Sequence, residues 1–313
     1  EEVEKSGAWL NRATQGLYPP GSTFKIVTAI AGMRKKVVDW DDILECGAFY
    51  RVGNRDFPEH EPVGYGDVDL DKMLAISCNV WNYQIGLRAG PDALAAEARR
   101  FGLDTPLLET AASSDGPGAT YTELPYAASR GLVVPDREYK LRIKAGPWHD
   151  GDTANTSIGQ GYLLTSPLHM ASFAASLARG ETRTVPTIIH DPARDGRHRG
   201  STPIGLNKAQ LDAIRGGMVR CVEEGTGRSA HIQGLPIAAK TGTSEYFKKG
   251  EKAHLAWMIG YAPADRPVVA FCVLVEGQLD TSTWGGKTAG PVVKQMLETW
   301  AGTGEKQSTE PAR

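Results

Sequence analysis

The chain has 313 residues, 41% of them hydrophobic and 23% charged, and a net charge of −2. That supplies ample material for one large core or two packed lobes, and the near-even charge gives no electrostatic footprint for nucleic acid. The longest apolar run, Val268 to Val275, falls far short of the ~20 residues a membrane-spanning helix needs. Cys46, Cys78, Cys221 and Cys272 show no paired spacing, which argues against a disulfide framework. Cys221 and Cys272 sit in amphipathic or apolar stretches and are expected as small buried hydrophobes.

In chain order, Glu1 to Leu10 shows no period. Pro19 and Pro20 hold the chain extended, and Gly21 permits a sharp turn. A helix is predicted from Ser22 to Met33. It is apolar nearly all round through Phe24, Ile26, Val27, Ala29, Ile30, Ala31 and Met33, so it belongs in a core. Ser22 and Lys25 interrupt that pattern and share one face. Val37 to Val68 reads as irregular. Cys46, Asp56, His60 and Cys78 could converge on a metal there, but a polar loop with unrelated side chains is the favoured reading, and neither a metal nor a cofactor is expected. Asp69 to Ile76 reads as a helix with Leu70, Met73 and Leu74 on one face. Asn79 is expected to cap a second helix running to Gly90. Pro91 starts a third helix, to Phe101. Leu103 to Ile158 reads as loop-rich. Ser166 should cap a helix from Pro167 to about Gly180, Asp191 to Thr202 reads as a polar insertion, and Asn207 should cap a helix bearing Leu211, Ile214, Met218 and Val222. Pro236 to Thr243, His254 to Ala262 and Pro267 to Val275 read as three strands joined by hairpins. Pro291 starts a last helix, and 302–313 is expected to be a disordered tail.

Three stretches carry chemistry. Ser22 and Lys25 stand in a Ser-x-x-Lys at a helix start. Burial among apolar side chains lowers a lysine pKa and makes it a base, a neighbouring base activates a serine, and a helix N-terminus suits an oxyanion. Alone, the same residues read as a cap and a snorkelling lysine. Ser77-Cys78-Asn79 and Lys240-Thr241-Gly242-Thr243 change that balance. The helix–loop–helix at 69–90 lets Ser77 and Asn79 project together into a cleft. Lys240-Thr241-Gly242 falls on the first strand, where Gly242 is expected to let a ligand's backbone lie close. Competing motifs fail. There is no Gly-x-Ser-x-Gly, no motif pairs a histidine with a serine, and no His-Glu-x-x-His occurs. Gly285-Gly286-Lys287-Thr288 lacks the leading glycine of a P-loop, with Thr281 in its place. Lys287 is therefore read as structural.

The order Ser-x-x-Lys, Ser-x-Asn, Lys-Thr-Gly resembles the penicillin-recognising serine acyl-transferases. The approach Leu10 to Lys25, the Gly159-Gln160-Gly161 and Thr165 to Ala171 blocks, and Gly225-Thr226-Gly227 resemble the penicillin-binding protein transpeptidases, class B and elongation type. The resemblance spans about 10–300. It implies an α/β (α+β) fold: an antiparallel sheet flanked by helices, beside a mainly helical lobe. The sheet lobe would take roughly 1–34 and 205–301 and the helical lobe roughly 35–204, forming a transpeptidase domain over 1–301. Family members begin this domain with two strands, behind a membrane anchor and pedestal. Neither is evident here, so the chain reads as a catalytic fragment with its N-terminal strands missing.

The activity implied is D,D-transpeptidation of peptidoglycan stem peptides. Ser22 would be the nucleophile, Lys25 its base and Ser77 a proton relay. Asn79, Lys240, Thr241, Gly242 and Thr243 would bind substrate, with the backbone N–H groups of Ser22 and Thr243 as oxyanion hole. Beta-lactam antibiotics would trap Ser22. The full-length protein would be membrane-anchored, extracytoplasmic and partnered by a membrane glycosyltransferase. The alternatives are a D,D-carboxypeptidase or beta-lactamase of the same superfamily, or a non-catalytic penicillin-binding sensor. A beta-lactamase is disfavoured because no acidic loop stands out to activate a deacylating water.

Overall fold

A computed structural model of the chain describes residues 10–107, 109–111, 120–122, 131–184, 186, 202–248, 250–278 and 283–307. The polar insertion expected near 191–202 lies almost wholly outside the described residues, as does the start of the chain to residue 9. No helix among the described residues is long and apolar enough to cross a membrane.

The sheet follows the apolar runs. Strands β7 (Ala238–Lys248), β8 (Glu251–Ala262) and β9 (Val269–Glu276) pair antiparallel in the order β7-β8-β9; β1 to β6 are short pairs in the middle of the chain. Alternation along β8 splits its side chains between two cores. Leu255, Trp257, Ile259 and Tyr261 join a large cluster with the serine helix. Ala256, Met258 and Ala262 pack with Val293 and Leu297 of the C-terminal helix in a smaller one. Both faces of the sheet are thus covered. β7 and β8 run further than their apolar stretches, because Ser244 to Lys248 pair with Leu255 to Glu251.

The serine segment is a 3₁₀ turn, Gly21–Phe24, followed by α1 (Lys25–Arg34), buried along nearly its whole length. Next come α2 (Leu70–Ile76), α3 (Asn79–Ala89) and α4 (Pro91–Arg100). Pro91 opens α4 as the sequence predicts; Asp69, read as the first residue of its helix, is instead the cap of α2. Arg34 at the end of α1 donates Nε and an Nη to Glu97 of α4 at 2.6 and 3.1 Å, and an Nη to the Ile204 carbonyl at 2.7 Å. The segment expected as irregular holds β1 (Leu44–Cys46) paired with β4 (Gly66–Val68), and β2 (Phe49–Val52) paired with β3 (Arg55–Pro58). At three or four residues, mostly exposed, these strands carry no usable alternation.

Further on, β5 (Glu109–Ala111) pairs with β6 (Thr120–Thr122). Two short helices, α5 (Arg137–Arg142) and α6 (Asp150–Ser157), occupy the stretch read as loop. Lys140 of α5 ion-pairs at 2.6 Å with Asp152, which also caps α6. α7 (Pro167–Arg179) and α8 (Lys208–Glu223) have the expected caps, Ser166 and Asn207. The final helix, α9 (Gly290–Gln307), continues past residue 301. Residues 308–313 lie outside the described residues.

All four cysteines are free, and Cys46, Cys78 and Cys221 are fully buried; Cys272 is only partly so. Of the four residues weighed as metal ligands, Asp56 pairs with Arg51 and His60 lines a cleft; no metal-holding group of His, Cys, Asp and Glu forms among the described residues.

Candidate active site

The approach to Ser22 is stitched to the rest of the fold by backbone. Tyr18 exchanges N–H···O bonds with Thr165 at 2.8 and 3.0 Å, Gly21 N donates to the Gly159 carbonyl at 2.9 Å, and the Pro19 carbonyl accepts from Ser244 Oγ and Trp257 Nε1. Gly21 has φ +55, and a side chain there would lie 2.6 Å from the Thr243 carbonyl. Only glycine both turns the chain and lets it touch β7. The result sets Ser22 and Thr243 on one cleft wall.

Lys25 has no exposed surface. Its Nζ donates to the Ser77 carbonyl at 2.5 Å, to Asn79 Oδ1 at 2.6 Å and to Ser77 Oγ at 3.3 Å. Burial, then the nearby charge of Lys240, brings its pKa from 10.5 down to about 7, while Glu59 acts the other way. Near neutral pH the amine is therefore part free base, the state a general base requires. Lys240 is equally buried; burial brings its pKa to about 8, and its Nζ donates to the Thr241 carbonyl at 2.9 Å.

Ser77 ends α2 in a left-handed conformation, φ +63, unusual for a residue that is not glycine. The next helix does not begin as the sequence reading has it. Asn79 is not the cap of α3 but its first residue; the cap is Cys78, whose Sγ accepts from Trp81 N at 3.4 Å. A capping asparagine would spend its Oδ1 on the backbone, and here that oxygen accepts from Lys25. The first N–H groups of α3 go instead to Glu59, whose carboxylate accepts from Asn79 N at 2.8 Å and Val80 N at 2.8 Å.

On β7, Lys240 and Gly242 face the serine turn, while Thr241 and Thr243 face the opposite side. Thr241 Oγ1 lies 2.5 Å from Thr226 Oγ1, and Thr243 Oγ1 accepts from Gly285 N at 3.0 Å. Thr226 N in turn donates to the Ala75 carbonyl near the end of α2, at 3.1 Å, which ties the Gly225-Thr226-Gly227 block to the Ser77 turn. The expected use of Gly242 needs correction. A side chain there would meet Thr23 at 2.9 Å and the Pro20 carbonyl at 3.0 Å, so the glycine admits the serine turn rather than a ligand's backbone.

These groups border one cleft with two ends. One, of about 480 Å³, is lined by Ser22, Asn79, Asn155, Gln160, Thr243 and Trp284 among others. The other, of about 460 Å³, is lined by Ser22, Ser77, Thr241, Gly242, Thr243 and Lys287 among others. Seven of the eight residues singled out from sequence thus meet at the cleft or, for Lys25, directly beneath Ser77 and Asn79. Lys240 is buried behind Thr241 and lines neither end. Sequence reasoning missed Glu59 and Trp284 and weighed His60 only as a metal ligand; His60 and Trp284 line both ends, and Lys287, read as structural, lines the second. Burial, then Lys25, pushes His60 down to about 4, so this imidazole is neutral.

Comparison with solved structures places this architecture. The chain superposes on Pseudomonas aeruginosa PBP2 in complex with WCK 5153 with a TM-score of 0.74 at 28% identity, covering 93% of this chain and 60% of that one. It superposes on penicillin-binding protein A from M. tuberculosis, a ceftriaxone acyl-enzyme complex, with a TM-score of 0.69 at 27% identity, covering 95% and 66%. The fold is the transpeptidase and beta-lactamase type, an antiparallel sheet between helices beside a mainly helical region.

A family model, the penicillin binding protein transpeptidase domain, matches residues 1–298, and the chain belongs to that family. It is 30% identical over 324 residues to the peptidoglycan D,D-transpeptidase MrdA of Acinetobacter baumannii, covering 96% of this chain and 45% of that protein. It is also 30% identical to PbpA, a peptidoglycan D,D-transpeptidase of Mycobacterium tuberculosis, covering 92% and 56%. The chain spans about half the length of these curated relatives.

Proposed function

We propose that this domain cross-links peptidoglycan stem peptides through an acyl-enzyme on Ser22. The observation that carries the reading is the buried Lys25 amine, brought to about pKa 7 and held on Ser77 and Asn79 below the Ser22 cleft. In the first step Ser22 Oγ attacks the carbonyl of a D-alanyl-D-alanine bond while Lys25 takes its proton. The developing oxyanion is met by the backbone N–H groups of Ser22 and Thr243, and the 3₁₀ turn at Ser22 adds a positive partial charge. Ser77 passes a proton to the leaving D-alanine amine. The amine of a second stem peptide then attacks the acyl group, which forms the cross-link and frees Ser22. Asn79 hydrogen-bonds the donor peptide. The buried Lys240 contributes positive potential for the terminal carboxylate, with the Thr241 and Thr243 residues lining the cleft.

Beta-lactams offer Ser22 the same amide, as the acyl-enzyme of penicillin-binding protein A supports. The site acts outside the cytoplasm, in a longer membrane-anchored protein partnered by a membrane glycosyltransferase; a related chain is described within a peptidoglycan synthase complex that coordinates polymerization and crosslinking. Mass spectrometry of intact protein after penicillin exposure tests the reading. Wild type should gain one penicilloyl group and Ser22→Ala none. An adduct on folded Ser22→Ala, or none on folded wild type, overturns it, and rapid hydrolysis of penicillin would move the domain to the hydrolases.

A further inference from the structure

Glu59 stands in the loop after β3 and is almost fully buried, with 8% of its surface exposed. Its carboxylate collects four donors. Oε1 accepts from His60 N at 2.9 Å and Asn79 N at 2.9 Å; Oε2 accepts from Asn79 N at 2.8 Å, Val80 N at 2.8 Å and Cys78 Sγ at 3.0 Å. Three of these donors are the side chain of Cys78 and the backbone of the next two residues. Glu59 therefore caps α3 from twenty residues upstream. The cap residue itself cannot do this well, because a thiol sulfur is a weak acceptor.

Asn79 carries the connection onward. Its N–H is held by Glu59 and its Oδ1 accepts from Lys25 Nζ. The Ser77 carbonyl and hydroxyl receive the same ammonium from a backbone in the left-handed region. Such a conformation persists only where its surroundings over-determine it. Lys25 grips one side of that turn and Glu59 the residues that follow. A buried carboxylate at a helix N-terminus, facing a buried ammonium through one residue, is thus placed to fix both the geometry and the charge of the base.

We propose that Glu59 is a positioning residue for acyl transfer: its carboxylate locks the Ser77-Cys78-Asn79 turn and sets the protonation of Lys25. The inference rests on the acyl-transfer reading given above. The charged or titratable groups facing Lys25 are Lys240 on β7, Glu59 and His60 after β3, and Cys78 before α3. Of these, Glu59 is the one that favours the ammonium most. Despite burial, Lys25 and the N–H donors hold its own carboxyl below the usual range, so it is charged throughout the neutral region. Removing that charge makes the Lys25 ammonium harder to keep, and Lys25 becomes a free base at lower pH.

The test is the second-order rate of acylation by a fluorescent penicillin, followed from about pH 5 to about pH 9 in wild type, Glu59→Gln and Glu59→Asp. Glu59→Gln keeps the volume but loses the charge and at least one accepted hydrogen bond. Its plateau rate should fall about 10- to 100-fold, the loss expected of a misplaced base. The limb that rises with pH should also move to lower pH. Glu59→Asp keeps the charge, so its limb should stay at the wild-type position while its rate falls; it serves also if Glu59→Gln does not fold. A uniform loss of rate with the limb unmoved in Glu59→Gln, a wild-type rate in that variant, or a limb shifted in folded Glu59→Asp overturns the proposal. Failure of wild type to be acylated would instead overturn the acyl-transfer reading.

Discussion

Replacing Lys25 by methionine should disarm the site and shift the pH dependence of stability. In the unfolded chain this lysine has its ordinary pKa of 10.5; in the folded protein it is about 7. Between those values the unfolded chain holds a proton that the folded chain has released, so the lysine's contribution to stability rises with pH. Below the folded value the whole difference applies, about 5 kcal/mol against folding. Between about pH 6 and about pH 8 that penalty shrinks by between 1 and 2 kcal/mol. Lys240, brought to about 8, adds a smaller change of the same sign.

Methionine removes the Lys25 penalty but leaves two buried acceptors, the Ser77 carbonyl and Asn79 Oδ1, without their donor, a loss of about 1–3 kcal/mol each. The two terms largely offset near pH 6, and the stability of the variant relative to wild type should then fall by about 1–2 kcal/mol toward pH 8. His169, pushed to about 4 mainly by burial, titrates in both proteins and cancels from the difference, whereas His60 is held down by burial and then by Lys25, so its pKa rises in the variant, which favours the variant near pH 6 and fades toward pH 8. Urea unfolding of both proteins at three pH values measures the gap, and labelled penicillin measures acylation, which should fall at least about 100-fold. A gap that does not change with pH, or one that moves in favour of the variant as pH rises from about 6 to about 8, would refute the reasoning.

Gly21→Ala should destabilise by about 2 kcal/mol or more in urea unfolding, since the new methyl meets the Thr243 carbonyl in a backbone region that suits glycine. Its acylation should fall further than its stability, because the serine turn is pushed off β7. Glu97→Ala leaves the Arg34 guanidinium half-enclosed without its carboxylate, and because 27% of that side chain still meets water the loss should sit near the lower end for a buried pair, about 3 kcal/mol. Trp284, half-exposed and lining both ends of the cleft, should affect reactivity alone. Trp284→Ala should slow penicillin acylation about tenfold with an unchanged unfolding midpoint.

What the sequence revealed was local. The caps at Ser166 and Asn207 and the prolines opening α4 and α7 act within one helical turn, so they can be read from a few letters. The three-stranded sheet was visible because both of its faces are buried, which makes its strands continuous apolar runs. α5 and α6 escaped because Asp150–Ser157 has hardly an apolar residue and is held through Asp152 and Lys140 rather than by a hydrophobic face. Glu59 escaped for a stronger reason. Its partners lie 19 to 21 residues away, and no spacing rule links a carboxylate to a helix it caps from outside. Without it, Asn79 looked like the obvious cap.

The alternation of β7 explains how one short motif serves two purposes. Successive strand residues point to opposite faces. Lys240 and Gly242 therefore turn toward the serine helix, where one provides a buried cation near Lys25 and the other admits Pro20 and Thr23. Thr241 and Thr243 turn to the other side and meet Thr226 and Gly285. A slip of one residue would exchange the two sets and bury a hydroxyl where the cation belongs. Two bonds from outside the strand pairing oppose that slip: Ser244 Oγ and, across the register from Gly242, Trp257 Nε1 both donate to the Pro19 carbonyl. The residues just before Ser22 thereby fix which face of β7 the nucleophile meets.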